Sequence, residues 1–201
     1  MSPVDFAAGL SAYRCINCGK HLSKSLEQKL LSEYFADCNN CGLTQWASDL
    51  DVSVLPTYQK FLRASEVKRV SWWHATTTKD WYGALSESEV KTGDAPYVHL
   101  GSFESACSLA DLKHSAGMTW YINRVQLKPS AHVARAVFDD RNYWPIDSED
   151  LDEFPGFGQI TRYVNRYEIV GSISLIADYR SFSVVKTRRL TRSEIRSTLV
   201  G

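Results

Sequence analysis

The chain has 201 residues, of which 44% are apolar and 23% are charged, as expected for a globular protein with a substantial core. Lys and Arg together number 23 and so do Asp and Glu, so no overall charge draws the chain to nucleic acid or to a membrane surface. The sequence has no apolar run near the roughly 20 residues that a membrane span needs and no secretory signal at its start, so we expect a cytoplasmic protein.

Two C-x-x-C pairs lie near the N-terminus, Cys15 with Cys18 and Cys38 with Cys41. The pairs are 19 residues apart and a glycine follows each, which is the spacing of a four-cysteine zinc site. Without an export signal, thiolates that bind one structural Zn²⁺ are expected rather than disulfides. Such a module either contacts nucleic acid or protein, or only folds the N-terminal segment around its metal. The fifth cysteine, Cys107, is expected to be a buried, unreactive thiol.

Between the cysteine pairs, Ser25-Leu-Glu-Gln28 has the spacing of a helix N-terminus. The composition shifts near residues 49–56, and Thr57–Val67 resembles a short connecting helix. We therefore expect three parts: a zinc ribbon or knuckle module at residues 1–50, a connecting helix at 51–66, and a larger domain at 67–201.

The larger domain is rich in β-branched and aromatic residues, which favours strands. Seven are predicted: Arg69–Ala75, Tyr97–Gly101, Thr119–Leu127, His132–Phe138, Thr161–Val170, Ser172–Ala177 and Phe182–Thr187. Capping boxes at Ser86–Glu89 and Thr191–Glu194 indicate helix starts, and Ser102 is a plausible N-cap for a helix over Phe103–Leu112. The acidic segment 147–153 is expected to be a solvated loop. Many short strands and few helices predict an α+β fold with a mainly antiparallel sheet.

Three segments of this domain offer side chains that suit catalysis. A predicted strand ends in His74-Ala-Thr76, a second carries His99 and runs into the helix at Ser102, and a later one carries Glu168 in an apolar run. Each has a structural alternative. A histidine beside two tryptophans is often a hydrogen-bonded core residue, and Glu168 is alternatively a solvent-facing strand position.

In this order, the three segments resemble the ADP-ribosyltransferase superfamily. In that family one strand ends in His-Gly-Ser/Thr, a second enters a helix that begins with a small hydroxyl residue, and a later strand carries the catalytic Glu. His74-Ala-Thr76 matches the first element, with alanine in place of glycine. The segment from His99 to Ser102 matches the second, and Glu168 the third. Poly-ADP-ribose-type members have tyrosine where His99 stands, whereas the RNA 2′-phosphotransferase branch has histidine.

The resemblance covers roughly residues 67–186 and implies a split sheet that binds NAD⁺ and breaks its nicotinamide–ribose bond. Glu168 would stabilise the oxocarbenium-like transition state, and His74 would hydrogen-bond the adenosine-side ribose. His99, or alternatively one of the neighbouring aromatic residues Tyr97 and Trp120, would pack against the nicotinamide ring. The resemblance also implies that Thr76 and Ser102 supply hydroxyl donors in the same pocket.

The resemblance implies that the acceptor of the ADP-ribose is a macromolecule, and we expect nucleic acid rather than protein. Arg166 stands where arginine- and guanine-modifying members usually carry Glu or Gln, which disfavours protein arginine. The zinc module favours nucleic acid, as does a basic C-terminal cluster that is otherwise a solvated surface: Lys186, Arg188, Arg189, Arg192 and Arg196. Small transferases of this kind are often toxins or phage-defence factors. The alternatives are an NAD⁺ glycohydrolase, an RNA 2′-phosphotransferase-like enzyme, or a non-catalytic zinc-ribbon protein that binds nucleic acid or protein.

Overall fold

The computed structural model describes residues 10–47, 50–92, 96–113, 117–139 and 159–200. The acidic segment 147–153 lies outside the described residues. The described part is an α+β structure with mainly antiparallel sheets and a four-cysteine cluster near the N-terminus, as the sequence predicts. None of its helices is both long enough and apolar enough to cross a membrane.

The cysteine-containing module begins with a small antiparallel sheet. Strand β1 (Leu10–Arg14) lies between β2 (His21–Ser23) and β5 (Asp51–Val52) and is antiparallel to both. Because β5 pairs with β1, the strand pairing of this module extends to residue 52. The apolar side chains of the module form a core of their own, which includes Leu22, Leu30 and Leu50.

Helix α1 (Lys24–Glu33) follows β2 without a loop. Its N-cap is Ser23, two residues before the predicted start, and the Ser23 Oγ accepts a 3.2 Å hydrogen bond from the backbone N of Leu26. After the helix, β3 (Phe35–Asp37) and β4 (Thr44–Trp46) form an antiparallel hairpin that contains the second cysteine pair. The hairpin therefore brings the second pair back toward the first.

The connecting segment is two short helical pieces rather than one helix over Thr57–Val67. A 3₁₀ helix covers Pro56–Leu62 and α2 covers Ala64–Val67, with Arg63 in an extended conformation between them. Pro56 suits the first helical position because its φ angle is already fixed near the helical value. Side chains of the 3₁₀ helix are buried in the main core, which docks the segment onto the larger part.

Within the described residues, the larger part contains two sheets. The first has the strand order β12-β8-β6 and is antiparallel; its strands are β6 (Ser71–Thr76), β8 (Trp120–Leu127) and β12 (Phe182–Leu190). The second has the order β7-β11-β10-β9 and comprises β7 (Tyr97–Leu100), β9 (His132–Asp139), β10 (Gln159–Val164) and β11 (Ile173–Asp178). Its pairs are antiparallel, apart from the parallel pair β9–β10. An isolated bridge joins the sheets, where Trp73 and Gly101 exchange two backbone hydrogen bonds of 2.9 Å.

All seven predicted strands are present, and the largest difference lies at the end of β10. The sequence predicts a strand to Val170, but β10 ends at Val164, and Glu168 lies in the turn before β11 rather than within a strand. The physical cause is Asn165. Its side-chain Oδ1 accepts the backbone N–H groups of Tyr167 and Glu168 at 2.8 and 2.9 Å, which replaces the strand ladder with a turn.

Helices cover the sheet beside this turn. Helix α4 (Phe103–Leu112) has its predicted bounds and its predicted cap at Ser102, and α5 (Arg192–Val200) starts at the predicted Thr191 capping box. Helix α3 (Trp81–Thr92) begins before Ser86, so the prediction of a helix start at Ser86 is wrong. Asp80 acts at the true start, where its Oδ1 accepts from the backbone N of Gly83 at 3.2 Å.

The buried side chains of the larger part form two clusters. The main core fills the space around both sheets and includes Trp72, Val125, Leu175 and Phe182. A smaller cluster, which includes Trp120 and Ile195, lies beneath α4 and α5.

A buried arginine crosses the main core. Arg162 of β10 is 1% exposed, and its guanidinium donates to the carbonyls of Ala134 and Arg135 on β9, at 2.6 and 2.7 Å. It also donates to the carbonyls of Phe61, at 3.2 Å, and Leu62 at the end of the 3₁₀ helix. Burial lowers the pKa of Arg162, and the acceptors of its guanidinium within the described residues are backbone carbonyls.

Candidate functional site

The two cysteine pairs form loops of the same shape. The backbone N of Gly19 donates to the Cys15 carbonyl, and that of Gly42 donates to the Cys38 carbonyl, each at 2.8 Å. Gly19 and Gly42 have φ angles of +67° and +74°, a region that glycine enters without steric cost. The glycine after each pair therefore allows both thiols of a pair to face inward.

The four sulfur atoms lie within 4.8 Å of one another. The Sγ atoms of Cys15 and Cys41 are 3.6 Å apart and those of Cys18 and Cys38 are 3.9 Å apart, so all four thiols are free. A disulfide requires about 2.05 Å. A tetrahedral ion with four thiolates at about 2.3 Å places neighbouring sulfurs about 3.8 Å apart. The group therefore has the dimensions of a site for one metal ion.

The thiols of this group lie in different electrostatic environments. Burial raises the pKa of Cys15 to about 11, whereas a backbone hydrogen bond with Leu43 lowers the pKa of Cys41 to about 6. Four adjacent thiolates repel one another, and a bound cation removes that repulsion. His21 is not part of the group, and its Nε2 accepts a 3.3 Å hydrogen bond from the Arg14 Nε while its Nδ1 lies 2.9 Å from the Ser11 carbonyl.

A second candidate site is a pocket where β6 meets β7, beside the bridge that joins the two sheets. It has a volume of about 290 Å³, including the part open to solvent. His74, His99 and Glu168 all line it, although they belong to β6, β7 and the β10–β11 turn. The structure thus brings together the three residues that sequence analysis singles out.

His74 has a fixed orientation and a defined tautomer. Its Nδ1 lies 2.9 Å from the His99 carbonyl, and its ring stacks on Trp81 with centroids 4.1 Å apart and planes inclined by 12°. A carbonyl only accepts, so Nδ1 carries a proton and Nε2 is an acceptor in the neutral ring. Burial lowers the pKa of His74 to about 4, which keeps the ring neutral. His74 is therefore suited to accept a hydrogen bond from a ligand hydroxyl.

His99 is paired with a tyrosine on the neighbouring part of the sheet. Its Nδ1 lies 2.9 Å from the hydroxyl of Tyr163, and the two rings meet edge to face with centroids 5.6 Å apart. Burial, with a smaller effect of Lys113, lowers the pKa of His99. Tyr163 is 4% exposed and lines the same pocket, so His99 and Tyr163 together form an aromatic part of its wall.

Glu168 is held by Asn165, which is 1% exposed. Besides accepting the two backbone N–H groups of the turn, Asn165 donates through Nδ2 to the Glu168 Oε2 and to the Ser174 Oγ, the latter at 3.2 Å. The backbone carbonyl of Glu168 accepts a 3.1 Å hydrogen bond from the Ser108 Oγ. Both the backbone and the carboxylate of Glu168 are therefore positioned before any ligand binds.

The other residues that the resemblance implies are not among the described residues that line the pocket. Thr76 is at the end of β6, where its Oγ1 accepts from the backbone N of Thr78 at 3.1 Å. The hydroxyl of Ser102 caps α4. Tyr97 begins β7 opposite Asp178, and Trp120 is 6% exposed in the cluster beneath α4 and α5.

Three side chains that sequence analysis does not single out complete the site: Trp81, Tyr163 and Asn165. Asn165 has a local signal, since Asn three residues before Glu168 favours a turn. Trp81 and Tyr163 have none, because their contacts depend on how distant strands pair.

The pocket thus combines a neutral hydrogen-bond acceptor, an aromatic wall and one fixed carboxylate. A carboxylate held in place before the reaction stabilises positive charge that develops on a bound ligand, and the imidazole acceptor suits a hydroxyl of that ligand. These are the features of a site for a hydroxylated, cationic small molecule. No protein-family model matches the chain, and no curated protein or solved structure matches it.

Proposed function

We propose that the chain is an NAD⁺-dependent ADP-ribosyltransferase with a zinc-binding N-terminal module. One observation carries the proposal: His74, His99 and Glu168, which sequence resemblance assigns to a common site, line one pocket. The pocket lies at the junction of two sheets, where a ligand reaches side chains from several strands.

To cleave the nicotinamide–ribose bond, the protein has to position NAD⁺ and to stabilise the positive charge that develops on it. When the nicotinamide–ribose bond breaks, nicotinamide leaves with the bonding electron pair and becomes neutral, and positive charge develops on the ribose. The carboxylate of Glu168 stabilises that charge. An oxygen or nitrogen of the acceptor then bonds to the anomeric carbon and loses its proton to water.

The two histidines bind rather than transfer protons. His74 accepts a hydrogen bond from a ribose hydroxyl through Nε2, and His99 with Tyr163 offers the wall against which nicotinamide packs. In this proposal the two histidines fix the position of the dinucleotide in the pocket, and Glu168 acts on the bond that breaks.

We assign Zn²⁺ to the four-cysteine group. Four thiolates in a tetrahedral arrangement are the donor set of structural zinc sites, and a closed set of four protein ligands leaves no position for substrate. Zn²⁺ there supplies folding free energy to the module.

The preferred acceptor is nucleic acid. Arg124 and Lys186 lie directly opposite each other on β8 and β12, and both are exposed. Arg124 is also paired with Trp73, which lines the pocket. Adjacent like charges on a sheet destabilise it slightly, and neither cation has an ion-pair partner within the described ranges. A phosphate backbone that crosses these strands, about 4.8 Å apart, would compensate them.

The test is incubation with labelled NAD⁺ and RNA, DNA or protein fractions. Label in nucleic acid, lost in Glu168→Gln but retained in Glu87→Gln, supports the proposal; Glu87 is an exposed glutamate of α3 and serves as the matched control. Nicotinamide release without label transfer indicates a glycohydrolase. Removal of a 2′-phosphate from RNA indicates the phosphotransferase-like activity. Absence of all three contradicts the enzymatic proposal.

A non-catalytic binding protein is the second candidate, because the cysteine module exposes aromatic side chains. Tyr34, Phe35 and Trp46 are 68%, 43% and 54% exposed, and the rings of Phe35 and Trp46 are 5.5 Å apart. Such rings stack on nucleic-acid bases or pack on a protein. Oligonucleotide binding that Trp46→Ala weakens, without nicotinamide release, would favour this candidate.

A further inference from the structure

The turn that carries Glu168 has two sides, and we call residues 165–172 the Glu168 loop. One side faces the pocket through Glu168, whose carboxylate accepts a hydrogen bond from Asn165. The other side, Val170 and Gly171, contacts the cysteine module. The loop is closed on itself by backbone hydrogen bonds of 2.8 Å from Asn165 N to the Ser172 carbonyl and from Gly171 N to the Asn165 carbonyl. A displacement of one side is therefore transmitted to the other.

The contact with the module is close. Val170 packs against the module core, which includes the metal-ligand residues Cys15 and Cys38. The carbonyl of Gly171 accepts a 2.8 Å hydrogen bond from the backbone N of Leu55. Gly171 has a φ angle of +82°, and a Cβ atom there would lie 2.6 Å from the Ala12 Cβ. The absence of a side chain at Gly171 thus permits this approach.

The residues that the Glu168 loop packs against are next to the metal-binding cysteines in the chain or are held in place by β1. Ala12 belongs to β1, and the strand ends one residue before Cys15. The Ser53 carbonyl, which a Cβ at Gly171 would approach to 2.7 Å, is held beside β1 by the hydrogen bond from Ser53 N to the Ala12 carbonyl, 2.9 Å. A core this small requires a metal to stay folded. Metal release would therefore remove the surface on which Val170 and Gly171 rest.

We propose that the metal-loaded cysteine module positions Glu168 through Val170 and Gly171, so that loading of the four-cysteine site controls turnover in the pocket. The effect on turnover rests on the proposed function. The effect of the cysteine module on the position of Glu168 does not rest on it. Val170 and Gly171 are positioning residues, since they contact neither the pocket nor the metal. The four-cysteine group is then a regulatory element of the pocket as well as a folding element.

The first experiment compares two glycines. Gly171→Ala collides with the module, whereas Gly117→Ala is the matched control, because Gly117 also has a positive φ angle, +88°, but nothing lies within 4 Å of its Cβ position. We expect Gly171→Ala to lower kcat for nicotinamide release by about 100-fold, the scale of a 1 Å misplacement, with the Kd for NAD⁺ and the metal content unchanged. Gly117→Ala should keep the wild-type kcat. Equal kcat values for the two variants would overturn the coupling.

Val170→Ala serves if Gly171→Ala does not fold. It removes packing against the module without introducing a clash. We expect it to lower kcat as well, with little change in KM. A wild-type kcat for Val170→Ala with one metal equivalent bound would contradict the proposed path.

Hydrogen exchange tests the coupling without any activity. The reporters are the amides of Tyr167 and Glu168, which donate to Asn165 in the Glu168 loop, and amides of β8 are the internal control. After a chelator removes the metal from the full chain, the loop amides should exchange at least about 10-fold faster while β8 stays protected. Unchanged exchange rates of the loop amides after metal removal would contradict the inference. Faster exchange in a protein that never consumes NAD⁺ would uphold the coupling and reject only the proposed enzyme.

Discussion

At the scale of single residues, the main electrostatic feature of the pocket is that its histidines are neutral. His74 is stacked on Trp81 and donates from Nδ1 to the His99 carbonyl, so protonation of Nε2 would place a charge in a poorly solvated position. The pKa of His74 is therefore about 4, against an ordinary value of 6.5. A neutral His74 accepts hydrogen bonds over the whole physiological pH range.

This shift predicts how stability depends on pH. Between about pH 6.5 and pH 4 the unfolded chain binds a proton at His74 that the folded chain does not, so acid favours unfolding. The contribution of His74 is fully present above pH 6.5, and on the order of 3 kcal/mol is lost by pH 4. Urea unfolding at pH 7 and pH 4.5 measures it. His74→Gln should flatten the dependence, while substitution of the exposed His132 by Gln should leave it unchanged.

Glu168 is expected to act in the transition state rather than in binding. Glu168→Gln keeps the size of the side chain but loses the charge that stabilises the oxocarbenium-like state. Nicotinamide release should fall by roughly 10²–10³, about 3–4 kcal/mol, while the Kd for NAD⁺ changes little. His74→Ala should instead weaken NAD⁺ binding. Calorimetric titration beside a nicotinamide-release assay separates the two; a Glu168→Gln variant with wild-type turnover would make the glutamate a structural residue.

At the scale of secondary-structure elements, the start of α5 is a reciprocal capping box. The Thr191 Oγ1 accepts from the Glu194 backbone N at 3.3 Å, and the Glu194 carboxylate accepts from the Thr191 backbone N at 2.9 Å. The same hydrogen bond lowers the pKa of Glu194, so the cap weakens as acid protonates the carboxylate. The cap fixes the helix so that Ile195 is buried beneath it.

We therefore expect Thr191→Ala to reduce the free energy of unfolding by about 1 kcal/mol, with no effect on metal content. Ser197→Ala is the control within the same helix, because the Ser197 hydroxyl donates only to the Glu194 carbonyl and alanine favours helix. Denaturant titrations of both variants give the comparison. Equal stabilities would show that the cap contributes nothing to the folded state.

Most elements follow from the sequence, because their local patterns agree with their environment. Strand β8 is rich in β-branched and aromatic residues, most of them buried, and its start is predicted within one residue and its end at the observed Leu127. The start of α3 does not follow, since Trp81 and Tyr82 are typical of strands. The end of β10 does not follow either, because the apolar residues after Asn165 have the pattern of a strand and side-chain hydrogen bonds decide the turn.

The candidate site was only partly predictable for a related reason. The types and order of His74, His99 and Glu168 are visible in the sequence, as is the cysteine spacing. The contact between His99 and Tyr163 is not, because it depends on β11 lying between β7 and β10, with Ile176 beside His99 and Ser174 beside Tyr163. Long-range strand register sets which aromatic ring meets which histidine, and no local pattern encodes it.

At the scale of the whole molecule, we expect folding of the cysteine module to require bound metal and folding of the larger part not to require it. Cys38→Ser removes one of four ligands and should unfold the module with loss of its bound metal, because binding and folding are coupled. Cys107→Ser is the matched control, because Cys107 is a buried residue of α4 and does not belong to the four-cysteine group. Metal analysis should find about one equivalent in the wild type and in Cys107→Ser and none in Cys38→Ser. Near-ultraviolet dichroism should show that the larger part stays folded in Cys38→Ser.

The buried guanidinium of Arg162 has a consequence for the order of folding. Its carbonyl acceptors belong to β9 and to the 3₁₀ helix. The buried charge therefore has all of these hydrogen bonds only after both elements have docked. Until then Arg162 must stay in water, and the sheet cannot close over it. We expect this closure to follow the rate-limiting barrier, so that Arg162→Met chiefly accelerates unfolding in a chevron plot and hardly changes the refolding rate. A slowed refolding limb would place the closure before the barrier instead.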